Sequence, residues 1–423
     1  MSELFIKTGP SCVQVRQLDQ APEPSFASKI DAWAAHQAGA PAEGAGTSKR
    51  ALKILHVISG LRIGGAEGRL CALATAPSNA PLVHSVISLV GGPYEQRLRD
   101  AGVPVTVLGI GYGVSAITGL YTLARLIANQ RPDVVQGWMY HGDVAGTLGL
   151  WLSGRRTGTS LVWGICNSYL DERAYGIGLR AVRRLWVRLS AAPDLVISNS
   201  EAGVQAHHEL GMSAVGTRVI PNGIDTEVFR PNPNLRAKLR AEWGINDDTT
   251  VVVHAARHDA MKDHATFVAA VDQLAASGLK FTCVIAGSGT ELLRPTAPAI
   301  LLGESNDMPS VFAAGDIVVS SSAFGEGFSN VIAEGMAAGL PAVVTDVGDA
   351  RRIVGDTGLV CPPRDPAKLA EALAQMIVEP RNRRTARGEA ARRRIVEAYS
   401  LEREILAYAE AYDAAPEVAR SSR

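Results

Sequence analysis

The sequence predicts an α/β protein with two Rossmann-like domains, each built on a doubly wound parallel sheet. Short apolar runs rich in β-branched residues alternate with helical stretches in two successive series, which is the pattern of such sheets. The chain has 423 residues, enough for two domains that each bury a core. We place these domains at residues 51–224 and 225–400, between an N-terminal arm at 1–50 and a C-terminal helix and tail at 401–423.

Composition argues against several classes of protein. Apolar residues make up 47% of the chain, but uninterrupted apolar runs are too short to cross a bilayer, and the N-terminus lacks a secretory signal. Lys and Arg together number 42, as do Asp and Glu, so no net field attracts nucleic acid. The five cysteines are scattered without a C-x-x-C pair, which favours free thiols in a reducing compartment. We therefore expect a cytoplasmic protein without a nucleic-acid partner.

The first domain follows the arm at residues 1–50, whose proline and small residues predict a mobile segment. Ordered structure is expected from Lys53, with a first buried strand at Ile54–Ser59. Further strands are predicted at His84–Leu89, Val105–Leu108, Val134–Gly137, Leu161–Ile165 and Leu195–Ser198, with helices between them. The motif R-V-I-P-N-G-I-D, with a turn at Pro221–Gly223, ends the domain.

The second domain repeats this alternation from about Phe229. Its strands are predicted at Val251–Ala255, Phe281–Ala286, Ile300–Leu302, Ile317–Ser320 and Ala342–Thr345. Arg-rich helices are expected between Pro380 and Tyr399. A last helix over Leu401–Tyr412 is expected to return to the first domain, with fraying after Ala414.

A glycine pair follows the first strand, in the motif L-R-I-G-G-A-E. Gly64 and Gly65 lack the side chains that would keep a ligand away from the backbone. A dinucleotide-binding oxidoreductase is the alternative. We disfavour it because the motif lacks G-x-G-x-x-G spacing and no acidic residue at a strand end some twenty residues later completes it.

The most informative stretch runs from Ser320 to Pro341 and predicts a strand end, a glycine-flanked loop and a helix that Ser329 and Asn330 can cap. Ligands bind at the carboxyl ends of strands in open α/β sheets, and a helix N-terminus attracts anions. Glu326 in the loop and Glu334 on the helix could hold hydroxyl groups at two ends of one ligand. The alternative is a solvated loop and an ordinary surface glutamate, but small residues around Glu334 predict a closely packed helix.

Two cations follow the strand at Val251–Ala255, in the motif A-A-R-H-D-A-M-K-D-H. Arg257 and Lys262 lie on one loop, at the edge of the sheet where a ligand would bind. Such a pair can also be plain surface charge. Because no D-x-D motif occurs, we expect no metal site.

The run E-G-F-S-N-V-I-A-E, from Glu326 to Glu334, resembles the Glu-x7-Glu signature of retaining, nucleotide-sugar-dependent glycosyltransferases of family 4. The resemblance extends from about Lys53 to Pro366. It implies a GT-B fold, in which two Rossmann-like domains face a deep interdomain cleft. The first domain would bind the acceptor and the second the donor nucleotide.

The resemblance also implies roles for individual residues. Arg257 and Lys262 match the cations that bind the donor diphosphate in place of a metal. Glu326 matches the carboxylate that holds donor sugar hydroxyls, and Glu334 the one that binds the ribose. The other donor-binding positions are Gly64, Gly65, Gly327, Phe328, Ser329 and Asn330.

Polar residues that follow predicted strands of the first domain are further candidates. His141 comes after Val134–Gly137, and although a lone histidine is more often structural, the resemblance implies a position near the transferred sugar. Asn167 follows the next strand, and both it and Asn222 are expected near the cleft.

These roles imply a hexosyltransferase that retains anomeric configuration in cell-envelope or exopolysaccharide biosynthesis. We expect no cofactor, a UDP- or GDP-sugar as donor, and a saccharide or polyprenyl-linked saccharide as acceptor. A nucleotide-sugar epimerase or phosphorylase on the same fold remains an alternative. A non-catalytic sugar-nucleotide-binding scaffold is another.

The stretch Leu179–Leu189 predicts a basic amphipathic helix. Its four arginines are Arg180, Arg183, Arg184 and Arg188. Most such helices simply present a solvated face, but this one could bind anionic lipid headgroups and hold the protein on the inner face of the plasma membrane.

Overall fold

The computed structural model describes residues 4–8, 11–15, 50–76, 81–110, 114–168, 177–213 and 216–421. Their contacts divide the chain into two compact units. The larger unit comprises residues 1–16, 165–191 and 195–411, and the smaller unit comprises 17–164, 192–194 and 412–423. Most of residues 165–224 therefore belong to the larger unit, whereas the sequence assigns them to the first domain.

The elements are numbered in chain order. The strands are β1 (Leu4–Thr8), β2 (Ser11–Val15), β3 (Leu52–Gly60), β4 (Leu82–Val90), β5 (Val105–Val107), β6 (Val134–Trp138), β7 (Ser160–Ile165), β8 (Leu195–Ser198), β9 (Thr217–Val219), β10 (Thr250–Ala255), β11 (Phe281–Ala286), β12 (Ala299–Gly303), β13 (Ile317–Ser320), β14 (Ala342–Thr345) and β15 (Leu359–Cys361). The helices are α1 (Gly65–Thr75), α2 (Tyr94–Asp100), α3 (Val114–Gln130), α4 (Met139–Leu152), α5 (Ile177–Leu189), α6 (Glu201–Glu209), α7 (Pro233–Glu242), α8 (His264–Ala276), α9 (Met308–Ala314), α10 (Asn330–Ala337), α11 (Ala350–Val354), α12 (Pro366–Val378), α13 (Arg381–Ala398) and α14 (Leu401–Ser421).

The larger unit contains an eight-stranded sheet in the order β15-β14-β13-β10-β11-β12-β1-β2. The strands from β10 to β15 pair in parallel, whereas β1 pairs antiparallel with β12 and with β2. Two strands therefore lie within residues 1–50, where the sequence predicts a mobile arm. Most other residues of that arm lie outside the described residues.

Apolar side chains fill both faces of this sheet. Val251 and Val253 of β10 point into a core with Phe312 and Met336, while Val252 points to the opposite face. Alternation along the strand gives each face its own set of side chains, and helices cover both. The unit is thus the doubly wound α/β layer that the sequence predicts.

In the smaller unit, strands lie in the parallel order β5-β4-β3-β6-β7. The last helix contributes to this unit, because the Tyr412 hydroxyl donates to Oε1 of the buried Gln136. Helix α14 continues to Ser421, beyond the point at Ala414 where the sequence predicts fraying.

Helix α5 has the two faces that the sequence predicts. Trp186 is fully buried, whereas Arg180, Arg184 and Arg188 are exposed and recur one turn apart. Leu185 lies between them and is 36% exposed. Across the described residues, no helix combines the length and apolarity required to cross a membrane.

The start of α8 gives a test of the fold. Asp263 has left-handed backbone geometry, with φ of 46°, and its carboxylate accepts hydrogen bonds from N of Thr266 at 3.1 Å and from its Oγ1 at 2.7 Å. Asp263→Ala should lower the free energy of unfolding by about 2 kcal/mol, because the cap is lost and alanine tolerates this backbone poorly. Urea denaturation measures the change.

Asp263→Asn is the matched control, since asparagine keeps the capping oxygen and accepts left-handed geometry. It should lose less than half as much stability. Equal losses in both variants would mean that the cap does not stabilise the helix.

Candidate functional site

The candidate site lies in the larger unit, at the carboxyl ends of β10 and β13. These strands are neighbours in the sheet, but the chain passes from β10 to β11 on one side and from β13 to β14 on the other. Loops leaving in opposite directions open a crevice, which is where open α/β sheets bind ligands. The loop after β10 carries Lys262, and the loop after β13 carries Glu326.

Lys262 and Glu326 form an ion pair in this crevice. Nζ of Lys262 contacts Oε1 of Glu326, and the two side chains are only 19% and 10% exposed. Oγ of Ser322 donates to the same carboxylate oxygen over 2.6 Å. The other oxygen, Oε2, accepts no hydrogen bond from the described residues, so it can accept one from a ligand hydroxyl.

A buried hydrogen-bond chain holds the backbone of Lys262. Oγ of Ser321 donates to the Lys262 carbonyl over 2.8 Å, and Nε2 of His254 lies 3.0 Å from the same Oγ. Because the serine proton goes to a carbonyl, Nε2 carries the ring hydrogen. Burial, with His264 and Lys262 adding repulsion, holds the pKa of His254 well below 6.5, so this ring stays neutral. The chain thus ties the loop of Lys262 to the end of β13.

Arg257 is placed differently. Its side chain is 57% exposed, and its ion pair is with Asp259, with Nε 3.6 Å from Oδ2. The structure therefore brings Lys262 to Glu326, whereas Arg257 lies on the outer part of the same loop. Within the part of the chain that the structure describes, no group of three His, Cys, Asp or Glu side chains has a metal-binding arrangement.

Gly327 lies where no side chain fits. A Cβ atom there would be 2.7 Å from Oδ1 of Asn199 and 2.8 Å from Oγ of Ser200. The preceding carbonyl, of Glu326, accepts a hydrogen bond from Oγ of Ser168. Asn167 borders the same glycine, and its buried amide oxygen and nitrogen have no partner among the described residues. Polar side chains from two other segments thus enclose the loop.

The rest of the loop leads into α10. Ser329 occupies the N-cap position without a side-chain capping bond, so the expectation that it caps the helix is wrong. Asn330 does not cap either; its Oδ1 accepts from Nδ2 of Asn222 at 2.8 Å. An N-terminus without a side-chain cap suits an anion. Phe328 is buried with its ring 5.4 Å from that of Tyr399, so only its backbone can face a ligand.

Glu334 is partly buried on the second turn of α10. It lies on the same helix as Asn330, which is next to the loop that carries Glu326. The structure therefore keeps the two predicted carboxylates on one continuous loop and helix, as the eight-residue spacing requires.

Ser322 and Asp349 were missed by the sequence analysis. The carboxylate of Asp349 accepts from the backbone N of Glu201 and Ala202, each at 3.0 Å, and its own N donates to the Gly327 carbonyl at 3.0 Å. Asp349 thus supports the loop that carries Glu326 while it caps α6. Ser322 is the last of three consecutive serines, so the sequence pattern does not indicate which of them contacts Glu326.

In the smaller unit, Gly64 and His141 follow the adjacent strands β3 and β6. Gly64 precedes α1, and a Cβ there would lie 2.4 Å from Oε2 of Glu67, whereas Gly65 has open space. His141 lies in the first turn of α4, and partial burial lowers its pKa from 6.5. The structure therefore places these candidates at the carboxyl edge of one sheet.

Two histidines support the start of α4. Trp138, the residue before the helix, donates from Nε1 to Nδ1 of His56 at 3.1 Å, and Nε2 of His56 lies 2.9 Å from Nδ1 of His84. The bond from Trp138 puts the His56 proton on Nε2, so His56 donates to His84. Burial lowers the pKa of His84 to about 4, and burial together with repulsion from His84 holds the pKa of His56 well below 6.5.

The hydrogen bonds from Trp138 to His56 and from His56 to His84 predict that the folded protein loses stability in acid. Between the ordinary histidine pKa of 6.5 and about 4, the unfolded chain binds a proton at His84 that the folded chain does not. Stability should therefore fall as pH drops through this window, by about 3 kcal/mol between pH 7 and 4 from this residue. Urea denaturation at a series of pH values measures the loss.

His84→Asn removes the titrating ring but keeps an acceptor at the position of Nδ1. The variant should lose less stability on acidification than the wild type. Parallel pH profiles for the two proteins would contradict the assignment.

Two family models match the chain. Residues 51–223 match the glycosyl transferase 4-like domain, and residues 249–379 match glycosyl transferases group 1. One match falls in each of the two domains that the sequence predicts.

Individual proteins agree with these matches. EpsF of Bacillus subtilis (strain 168), named as a glycosyltransferase, is 25% identical over 314 residues, covering 70% of this chain and 79% of EpsF. The D-inositol 3-phosphate glycosyltransferase of Mycobacteroides abscessus is 26% identical over 338 residues, covering 72% of this chain and 71% of that protein. The crystal structure of Anabaena HepE in complex with UDP-glucose superposes with a TM-score of 0.74 at 22% identity, over 86% of this chain and 100% of HepE, and so has the same fold.

Proposed function

This chain is a glycosyltransferase of the GT-B fold, and we propose that it transfers a hexose from a UDP- or GDP-sugar, with retention of anomeric configuration. The proposed acceptor is a saccharide or polyprenyl-linked saccharide of exopolysaccharide or cell-envelope biosynthesis. The observation that carries the proposal is the buried Lys262–Glu326 pair at the carboxyl edge of the sheet. In this pair, the ammonium group of Lys262 can bind a diphosphate, and the adjacent carboxylate of Glu326 can bind a sugar hydroxyl.

Glu326 would bind the donor sugar through Oε2. Since Lys262 and Ser322 already hold Oε1, the carboxylate is oriented before the ligand arrives. Ordering it then costs little on binding. The role is positioning of the sugar, and the carboxylate does not attack the anomeric carbon.

Lys262 would receive the departing diphosphate. An ammonium has three N–H donors, so it can keep its bond to Glu326 while it donates to a phosphate oxygen. At about 4 Å and an effective dielectric near 20, the gross attraction of two unit charges is about 4 kcal/mol. Only the part that grows as the bond to the sugar breaks accelerates the reaction.

The transfer would proceed on one face of the sugar. The bond from the anomeric carbon to the phosphate oxygen breaks, and the acceptor hydroxyl forms the new bond on the same side, with its proton passing to the leaving phosphate. Arg257, which is exposed, can turn from Asp259 toward the diphosphate, and Glu334 would bind the ribose. No metal has a role in this scheme.

Activity measurements test the proposal. Lys262→Ala and Arg257→Ala should each lower kcat about a hundredfold, because removing one donor aimed at the developing charge costs about 3 kcal/mol. Glu326→Gln should also lower activity, since the amide loses its charge pairing with Lys262. Release of nucleoside diphosphate from UDP- and GDP-hexoses, with NMR of the product anomer, gives the readouts.

Lys280→Ala, an exposed lysine outside the crevice, is the control and should retain full activity. A free isomerised sugar nucleotide would indicate an epimerase. Donor binding without turnover for any acceptor would indicate a scaffold. An inverted product anomer would overturn the assignment of retention.

We also propose that α5 attaches the protein to anionic membranes. Its exposed arginines recur one turn apart around the half-exposed Leu185, and no acidic residue occurs in the helix. Arginine near an anionic surface contributes about 1 kcal/mol, and an exposed leucine can insert between headgroups.

Vesicle sedimentation tests this attachment. Arg184→Glu combined with Arg188→Glu should reduce partitioning to phosphatidylglycerol vesicles at least about tenfold. Arg383→Glu combined with Arg393→Glu makes the same change in net charge on α13 and should leave partitioning nearly unchanged. Equal effects from both pairs would show that net charge alone governs binding.

A further inference from the structure

A second cavity, of about 270 Å³, lies at the opposite edge of the larger unit's main sheet. Its lining includes Asp316 and Pro341, which directly precede β13 and β14. It is therefore at the amino ends of these strands, whereas the candidate active site is at their carboxyl ends. The beginning of α7 and the first three turns of α13 complete the walls.

Positive charge exceeds negative charge in this cavity. Four arginines line it: Arg236, Arg381, Arg384 and Arg392. The lining carboxylates are Asp316 and Glu389, and Asp316 already pairs with Arg236 and with the buried Arg240. Among the described residues, no carboxylate lies within 4.0 Å of the other three lining guanidinium groups.

Helix capping explains the positions of two arginines. Nη1 of Arg384 donates to the carbonyls of Met376 and Ile377 at the end of α12, and Nη1 of Arg392 donates to that of Ala337 at the end of α10. A helix C-terminus carries about half a negative charge. Each helix end therefore compensates only part of the positive charge of the arginine that caps it.

Neighbouring arginines also affect one another here. Burial lowers the pKa of Arg240, and although Asp316 opposes this, Arg236 and Arg381 lower it further. The cations in and around the cavity therefore repel one another. An anion placed among them would relieve that repulsion.

We propose that this cavity binds the phosphate group of a small metabolite, at a site separate from the donor site. Guanidinium groups donate in a planar fork that matches phosphate oxygens, and several of them can surround one dianion. Arg384 uses only Nη1 in its carbonyl bonds, which leaves two other nitrogens as donors. The volume exceeds that of one phosphate, and Glu389 offers an acceptor for a hydroxyl group, so a hexose phosphate fits as well.

The site has a direct structural connection to the donor loop. Ala338–Pro341 line the cavity and directly follow α10. The other end of this eight-residue helix follows Ser329, so about 12 Å of helix separates the two sites. The two sites therefore share one rigid element but no side chain.

Calorimetric titration of the full chain at constant ionic strength tests the proposal, with inorganic phosphate and glucose 6-phosphate as probes. Arg381→Gln should weaken binding about tenfold, because one charge-assisted hydrogen bond is lost. Arg381 is exposed and forms no ion pair with the described residues, so the variant should fold normally. Arg383→Gln is the matched control: it is exposed on the same turn of α13, does not line the cavity, and should bind as the wild type does.

Saturating UDP separates the two sites, because a phosphate bound in this cavity should remain bound. Stronger binding of glucose 6-phosphate than of inorganic phosphate would assign the site to a sugar phosphate, and equal binding would assign it to the phosphate group alone. Displacement by UDP, equal weakening in both variants, or no binding at millimolar concentration would overturn the proposal. None of these results depends on transferase activity.

Discussion

The ion pair between Lys262 and Glu326 joins two loops that leave neighbouring strands in opposite directions. Removing one partner of a largely buried pair leaves a charge without compensation, which commonly costs 3–5 kcal/mol. The surrounding hydrogen bonds reduce the free-energy cost of burying these two charges. Ser322 shares the carboxylate oxygen, and Ser321 with His254 fixes the backbone of the lysine loop. The crevice therefore has a defined geometry even though irregular segments form it.

The sequence contains most of the fold and the centre of the site. β10 and β13 were predictable because their valine and isoleucine runs are bounded by turn signals. Parallel strands bring their carboxyl ends to one edge, so the approach of Lys262 to Glu326 followed from topology. The three-residue strand β15, Leu359–Cys361, is not among the strands predicted from the sequence, since so short a run gives little periodic signal.

Other features depend on tertiary contacts that no local pattern records. Asp349 caps a helix that begins 148 residues earlier in the chain, and only the folded structure brings the two together. The side chain of Arg257 is exposed and has several freely rotating bonds. The sequence therefore predicts its position on the loop but not the direction in which the guanidinium group points. The cavity at the amino edge likewise combines four segments that are distant in sequence.

The steric closure around Gly327 has a consequence for laboratory evolution. Asn199 and Ser200 occupy the space for a Cβ atom at 327, and a Cβ at 348 would lie 2.3 Å from the Glu326 carbonyl oxygen. Gly348 also has a positive φ of 60°, which other residues rarely adopt. Libraries randomised at these two positions would therefore yield mostly misfolded clones. Diversity around this loop has to be introduced in the polar side chains that frame it, with both glycines kept.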